Sequence, residues 1–145
     1  NRMIFIDEML TPAENVNLLN TCDAFVSLHR SEGFGRLLAE TMLLGKLLVA
    51  SDFGGSTDYV LPETGCPVPG KLTPVPDGGY LFGEGQSWFD PDEEYAAELF
   101  RDILANWKLY TSRVAQGQSF IMKNHTPEVV GKKALTALQQ AGFLA

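Results

Sequence analysis

The stretch that decides the fold reads AFVSLHRSEGFGRLLAETMLLGKLLVA at residues 24–50. Its start, 24–28, is a short apolar run, as expected of a strand that is covered on both faces of a parallel sheet. A polar, glycine-rich turn follows at 29–35, and 36–44 has the pattern of a helix that a glycine ends in the left-handed conformation. The run 47–50 is apolar again. This order predicts two parallel strands joined by a right-handed helical crossover.

The residues before this stretch predict one more strand and one more helix. The apolar run 3–6 is typical of a short buried strand. The segment 11–14, Thr-Pro-Ala-Glu, predicts a helix start, because threonine caps free amides and proline suits the first helical position. Val16 and Leu19 are expected to face the core from that helix. The apolar run begins almost at once, with no initiator methionine at the front, so we expect a piece of a longer protein.

The residues after the decisive stretch continue the alternation and then change in character. A glycine-rich loop and a short helix at about 57–60 lead to a short strand at 66–68. From 69 to 91, prolines and glycines predict an irregular excursion within the domain, with a small strand at 80–82. Apolar residues recur at helical spacing beyond it. The predicted helices cover 92–107, 108–122 and the residues from 126 onward.

Together these elements predict an α/β fold, with a Rossmann-like parallel sheet flanked by helices on both faces. We expect the 145 residues to form one domain. The composition, with 45% hydrophobic and 20% charged residues, excludes a disordered chain. The net charge of -7 argues against a nucleic-acid partner. Apolar runs are too short for a transmembrane segment, and no signal peptide is evident. Cys22 and Cys66 are expected to be reduced thiols in a cytoplasmic protein.

The residues with the clearest chemical meaning lie in the turn 31–35 and the helix after it. Ligands of α/β sheets bind where a strand ends and a helix begins. Gly33 and Gly35 let the backbone approach a ligand closely, and the amides of a helix N-terminus favour an anion such as pyrophosphate. Glu32 would lie at the mouth of this site, with Glu40 further along the helix. Two carboxylates so spaced can accept hydrogen bonds from hydroxyls of one extended ligand.

Each of these residues also has a purely structural interpretation. Glu32 would then be a turn residue that stabilises the helix through its dipole. Glu40 would be an exposed helix residue paired with Arg36 or Lys46. Arg36 opposes the dipole in the first turn, so either an anion compensates it or it is a plain surface residue. His29 is more easily explained as a structural histidine than as a ligand contact.

The stretch 23–60 resembles the retaining glycosyltransferases of family 4, which have the two-domain GT-B fold. The signature of that family is a pair of glutamates separated by seven residues, matched here by Glu32 and Glu40. The pair lies in a frame of apolar strand, Glu-Gly-Phe-Gly turn, helix, second apolar strand and Gly-Gly loop. The resemblance therefore implies the C-terminal, nucleotide-sugar-binding domain of a GT-B enzyme.

The resemblance also implies the roles of single residues. Glu40 would bind the ribose hydroxyls of a UDP- or GDP-linked sugar donor, and Glu32, the catalytic residue, would contact the transferred sugar. The amides of Phe34, Gly35 and Arg36 would face the diphosphate or the sugar. No metal and no cofactor besides the donor substrate is implied. A carbohydrate or lipid-linked acceptor would bind through an N-terminal domain that this sequence lacks, so we expect this chain alone to be inactive.

Two alternatives stay open from the sequence. One is a non-catalytic nucleotide- or sugar-binding module, or an interaction module, with the same fold; the acidic charge and the excursion at 69–91 are compatible with it. The other is a GT-B sugar epimerase. For the full-length protein, the expected location is the cytoplasm, with a peripheral position at the inner membrane as a variant of it.

Overall fold

Three parallel strands form the central sheet of the protein. A computed structural model describes residues 3–144 and places β1 (Ala24–Ser27), β2 (Leu47–Ser51) and β3 (Cys66–Val68) in the order β1-β2-β3. Both pairs of strands are parallel. Strand β2 is the middle strand of this order, and all five of its residues are buried. The predicted α/β fold with a Rossmann-like parallel sheet is confirmed.

Helices cover both faces of this sheet. Alternate residues of β2 supply two separate apolar clusters, Leu48 and Ala50 on one face and Leu47 and Val49 on the other, because successive strand side chains point to opposite faces. The helices are α1 (Pro12–Thr21), α2 (Arg36–Leu43), α3 (Glu93–Ala105), α4 (Trp107–Asn124) and α5 (Pro127–Gln140), with a 3-10 helix at Gly54–Asp58. In the part of the chain that the structure describes, no helix is both long and apolar enough to cross a membrane.

The predicted helix starts are confirmed by their hydrogen bonds. The Thr11 hydroxyl accepts from the Glu14 amide at 3.3 Å, and the Glu14 carboxylate accepts from the Thr11 amide at 2.8 Å. This reciprocal pair satisfies amides that the helix itself leaves without a partner. Asp92 and Thr126 cap α3 and α5 without this reciprocal bond, because their side-chain oxygens accept from the amides of Tyr95 and Val129. Helices α2 and α4 begin without a side-chain cap, at Gly35 and Asn106 respectively.

Predictions near the start of the chain are wrong in three places. Residues 3–6 form no strand, and Met3 and Phe5 are 76% and 84% exposed. A strand needs a neighbour for its backbone hydrogen bonds, and β1 pairs with β2 alone, so one of its edges has no partner strand among the described residues. Val16 is exposed, whereas Leu19 is buried as expected. Val26 on β1 is 45% exposed, so this edge strand is not covered on both faces.

The segment 69–91 is more regular than its composition predicts. Its two ends form an antiparallel ribbon, β4 (Gly70–Pro74) and β5 (Ser87–Pro91), and only the tip at 75–86 lacks regular structure. The strand expected at 80–82 is absent, since those residues form turns. Prolines are tolerated in β4 and β5 because each strand of a two-stranded ribbon is an edge strand.

Two glycines inside helices predict stability changes of opposite sign. On Gly117 in α4, a Cβ would lie 2.4 Å from the Thr64 carbonyl oxygen and 2.8 Å from Met42 Cε. On Gly131 in α5, a Cβ would meet nothing within 4 Å. We expect Gly131→Ala to stabilise by up to about 1 kcal/mol through helix propensity, and Gly117→Ala to destabilise by about 1–3 kcal/mol through overpacking. Urea unfolding of both variants measures this, and changes of the same sign would contradict the packing described for α4.

Candidate functional site

Two loops meet at the carboxyl edge of the sheet, the turn 29–35 after β1 and the loop that follows β2. The Gly55 amide donates to the Glu32 carbonyl at 3.3 Å. A Cβ on Gly54 would lie 2.4 Å from that oxygen, and one on Gly55 would lie 1.8 Å from the Gly33 carbonyl oxygen. No side chain fits between the two backbones, so the Gly-Gly pair is what lets them touch.

Glu32 folds back onto its own turn. Its Oε1 accepts from the amides of Gly33 at 2.9 Å and Gly35 at 3.1 Å. Within residues 3–144 no hydrogen bond reaches the other oxygen, Oε2, and the residue is exposed. The carboxylate is therefore held on its own turn by Oε1, and Oε2 has no hydrogen-bond partner among the described residues. The Gly35 amide, which the resemblance places opposite the diphosphate or the sugar, already donates to Glu32.

Helix α2 begins without a side-chain cap. Gly35 takes the left-handed conformation at φ +78°, and no side chain accepts from the first turn. The amides of Arg36, Leu37 and Leu38 have no acceptor among the residues that the structure describes. These three donors, at the positive end of the helix dipole, are suited to an anion.

Arg36 and Glu40 pair with each other along one turn of α2. Arg36 Nε lies 3.4 Å from Glu40 Oε1, and their side chains are 88% and 49% exposed. Pairing with Arg36 is one of the two structural interpretations open for Glu40. Because exposed ion pairs of this kind contribute only about 0–1 kcal/mol, either group can exchange its partner for a ligand at low cost.

Tyr59 supports the turn from inside the protein. It is fully buried, and its hydroxyl donates to the carbonyl oxygens of Phe34 at 2.5 Å and Gly35 at 2.9 Å. Burial raises the pKa of this phenol well above its usual range, with the Glu32 charge as a second cause, so the group stays a donor. The sequence placed Tyr59 only in a short helix and assigned it no role. Its position beneath the turn depends on how the loop after β2 folds.

His125 is a second residue that sequence reasoning missed. It ends α4, and its ring centroid lies 5.5 Å from that of Phe34 and 5.8 Å from that of Tyr59. Phe34 itself is 47% exposed and packs against Tyr59 as well. No local signal predicts this cluster, because α4 comes more than sixty residues after the turn in sequence.

His29 is a structural residue, as the favoured interpretation has it. Its Nε2 lies 3.0 Å from the Phe53 carbonyl oxygen and its Nδ1 lies 3.2 Å from Ser27 Oγ. A carbonyl only accepts, so we assign the proton to Nε2, and Nδ1 then accepts from the serine. The imidazole thus ties the end of β1 to the loop after β2.

The cluster around His125 predicts a pH dependence of stability. Partial burial, and secondly the charge of Lys133, lower the pKa of His125 below its ordinary value of 6.5. The unfolded chain then takes up this proton more readily than the folded one, so its contribution to stability is full above the unfolded pKa and declines as the pH falls through it. We expect His125→Phe, which keeps an aromatic ring there, to lose less stability than the parent between about pH 7 and pH 5. Equal losses in urea unfolding would contradict this origin.

Comparison with known proteins adds one match to this geometry. A family model described as "Glycosyl transferases group 1" matches residues 1–74. The matched part contains both loops, α2 and every site residue that the sequence predicts. No curated protein matches the chain. Across residues 3–144, no three His, Cys, Asp or Glu side chains are grouped so that they could hold a metal ion.

Proposed function

Because the chain belongs to the glycosyl transferases group 1 family, we propose that it is the donor-binding part of a hexosyltransferase. The reaction would move a sugar from a UDP- or GDP-linked donor to a carbohydrate or lipid-linked acceptor, with retention of the anomeric configuration. The observation that supports this most is the start of α2. There, free amides, two glycines and two carboxylates share one turn and the helix that follows it.

The diphosphate of the donor binds at the amides of Arg36, Leu37 and Leu38 in this proposal. Their acceptors are missing within the described chain, and the dipole of α2 adds a favourable field for an anion. With a net charge of -7, the protein offers no attractive long-range field. Binding must therefore depend on these local donors and on Arg36, whose guanidinium leaves Glu40 for the phosphate oxygens.

Glu40 then binds the ribose. Its carboxylate accepts from the hydroxyls at positions 2 and 3 once Arg36 has turned to the diphosphate, and carboxylates are strong acceptors from hydroxyls. The exchange costs little, since the Arg36–Glu40 pair is exposed and its bond is long at 3.4 Å.

Glu32 contacts the transferred sugar through Oε2. Because Oε1 is fixed by two backbone amides, Oε2 has a defined direction and little freedom to lose on binding. Catalysis at such a site consists of positioning the reactants and stabilising the charge of the departing diphosphate. The amides at the start of α2 supply that stabilisation without any metal ion.

Calorimetric titrations with UDP, GDP and ADP test this proposal. We expect saturable binding of either UDP or GDP, and weak or absent binding of ADP. UMP or GMP, which lacks the second phosphate, should bind roughly tenfold less tightly than its diphosphate, equivalent to about 1.4 kcal/mol. If UDP and GDP both fail to bind at millimolar concentration, the donor-binding proposal is wrong.

A further inference from the structure

A cleft of about 600 Å³ lies between the tip of the β4–β5 ribbon and the turn after β1. Its lining includes Arg30, Ser31, Tyr80, Phe82, Gln86 and Trp88. Arg30 and Ser31 belong to the turn 29–35, so the cleft adjoins the turn that carries Glu32, the residue that we assign to the transferred sugar. None of the assigned donor contacts belongs to this lining.

The ribbon is fastened to the site by four contacts. Arg30 forms an ion pair with Asp90 at 3.2 Å, and its guanidinium lies 4.5 Å from the ring centroid of Trp88. The Phe89 amide donates to the Arg30 carbonyl at 2.9 Å. Phe89 also stacks on Phe53 in the loop after β2, with centroids 5.0 Å apart and planes 4° from parallel. These contacts hold β5, and with it the Trp88 side of the cleft, against the turn.

The charges around the cleft favour a neutral ligand. Arg30 is the single charged residue in the lining that the structure describes, and Asp90 already pairs with it. Asp77 and Glu84 lie on the same ribbon tip, on the neighbouring cavity lined by Tyr80 and Phe82. Because Asp77 and Glu84 lie next to the cleft and Arg30 has a carboxylate partner, the nearby charges do not favour an anionic ligand such as a nucleotide or a phosphate.

The side chains in the cleft match a sugar ring. Tyr80, Phe82 and Trp88 line the cleft with aromatic rings, and the faces of such rings carry negative charge density that attracts the weakly positive C–H groups of an apolar ring face. Ser31 and Gln86 offer hydrogen bonds to hydroxyls at the ring edge. A pyranose has this combination of one apolar face and polar edges. An acyl chain has no hydroxyl groups that could form hydrogen bonds with Ser31 and Gln86.

The backbone at Phe82 adds a further observation. Phe82 is 89% exposed and has φ +58°, the one non-glycine residue with positive φ in the described chain. This conformation costs about 1–2 kcal/mol for a residue with a side chain. An exposed phenyl ring gains nothing from burial in return. Strain of this kind is concentrated at ligand sites.

We propose that this cleft binds a neutral pyranose of the acceptor, placing it beside Glu32. The ribbon would then contribute acceptor recognition to a domain that otherwise binds the donor. This inference rests on the proposed function, since sugar transfer is what makes a carbohydrate the natural second ligand.

Fluorescence of Trp88 provides the test. The chain has two tryptophans, so Trp107→Phe leaves Trp88 as the only one. In that background we titrate methyl α-glucopyranoside, methyl α-mannopyranoside and methyl α-galactopyranoside. We expect at least one to change the Trp88 emission saturably, and Tyr80→Ala to weaken that binding roughly fivefold. Leu81→Ala is the matched control, because Leu81 is 75% exposed on the same tip but does not line the cleft.

The possible outcomes separate the two proposals. If no glycoside changes the emission, or if Leu81→Ala weakens binding as much as Tyr80→Ala, the cleft is not a sugar site. A saturable response to octanol in place of the glycosides would overturn the proposal of a sugar site and indicate that the cleft binds a lipid chain. UDP and GDP are titrated in parallel by calorimetry. Glycoside binding without nucleotide binding supports the cleft and rejects the donor site, and the reverse result rejects the cleft alone.

Discussion

The Gly55→Ala variant is expected to lose nucleotide binding and to unfold at a much lower urea concentration than the parent. A Cβ at this position would lie 1.8 Å from the Gly33 carbonyl oxygen and 2.9 Å from its carbonyl carbon. Because both are backbone atoms, no side chain can rotate away, and one of the two loops has to shift. Overpacking of this kind costs about 1–3 kcal/mol. The shift also moves the amides and the carboxylate of the turn, which we assign to the donor.

Gly33→Ala is the matched control for this experiment. Gly33 lies in the opposing turn, and a Cβ there would meet nothing within 4 Å. We expect its free energy of unfolding to stay within about 0.5 kcal/mol of the parent, as for other substitutions away from packed contacts. If urea unfolding gave the two variants equal stability, the close contact between the two loops would be wrong.

The Glu40→Ala variant is expected to bind UDP or GDP roughly tenfold to a hundredfold less tightly, with little change in stability. The loss corresponds to removing the charge-assisted hydrogen bonds between Glu40 and the two ribose hydroxyls, which we expect to contribute about 1.5–3 kcal/mol together. Stability should hardly change, because the only ion pair that Glu40 makes in the described chain is the exposed one with Arg36. Calorimetry and urea unfolding measure the two effects separately.

The matched control for Glu40 is Glu98→Ala. Glu98 is an exposed glutamate within α3, so its removal changes the net charge equally at a comparable helical position. Equal weakening of nucleotide binding by both variants would show a general charge effect and reject a specific role of Glu40. Weakening by Glu40→Ala alone supports the assignment of this carboxylate to the ribose.

Much of the fold is predictable because its signals are local. The capping box of Thr11 and Glu14 predicts the start of α1 from four consecutive residues, and the structure has the same hydrogen bonds. The left-handed glycine Gly45 ends α2 where its pattern predicts. Strand β2 is buried throughout, as an apolar run between two helical segments indicates. Each of these features is determined by neighbours in the sequence.

The errors arise where pairing partners decide the structure. Residues 3–6 have the composition of a strand but find no neighbour in the described chain to complete their hydrogen bonds. Within 69–91, the glycines and prolines predict irregular structure, but the segment contains the two strands β4 and β5. Both are edge strands, in which such residues are tolerated. The periodicity of a sequence does not show whether a segment has a neighbouring strand to pair with.

In the candidate site, too, the residues near each other in sequence are predictable and those that come from distant segments are not. The sequence places Glu32, the two glycines of the turn and Glu40 on one turn and helix, and the structure has them there. It leaves open whether Glu40 pairs with Arg36, which it does in the structure. Tyr59 and His125 escape prediction, since their contacts with the turn depend on the packing of distant segments.

The most direct test of the donor site is an amide proton–nitrogen NMR titration with UDP and GDP. We expect the amide resonances of Arg36, Leu37 and Leu38 to shift saturably with one of the two, because hydrogen bonding to phosphate changes the environment of those protons. Resonances of α5, whose residues lie outside the site and none of which is buried, should stay unchanged. Unchanged resonances at the start of α2 with both nucleotides, or saturable shifts confined to other elements, would contradict a donor site at this helix.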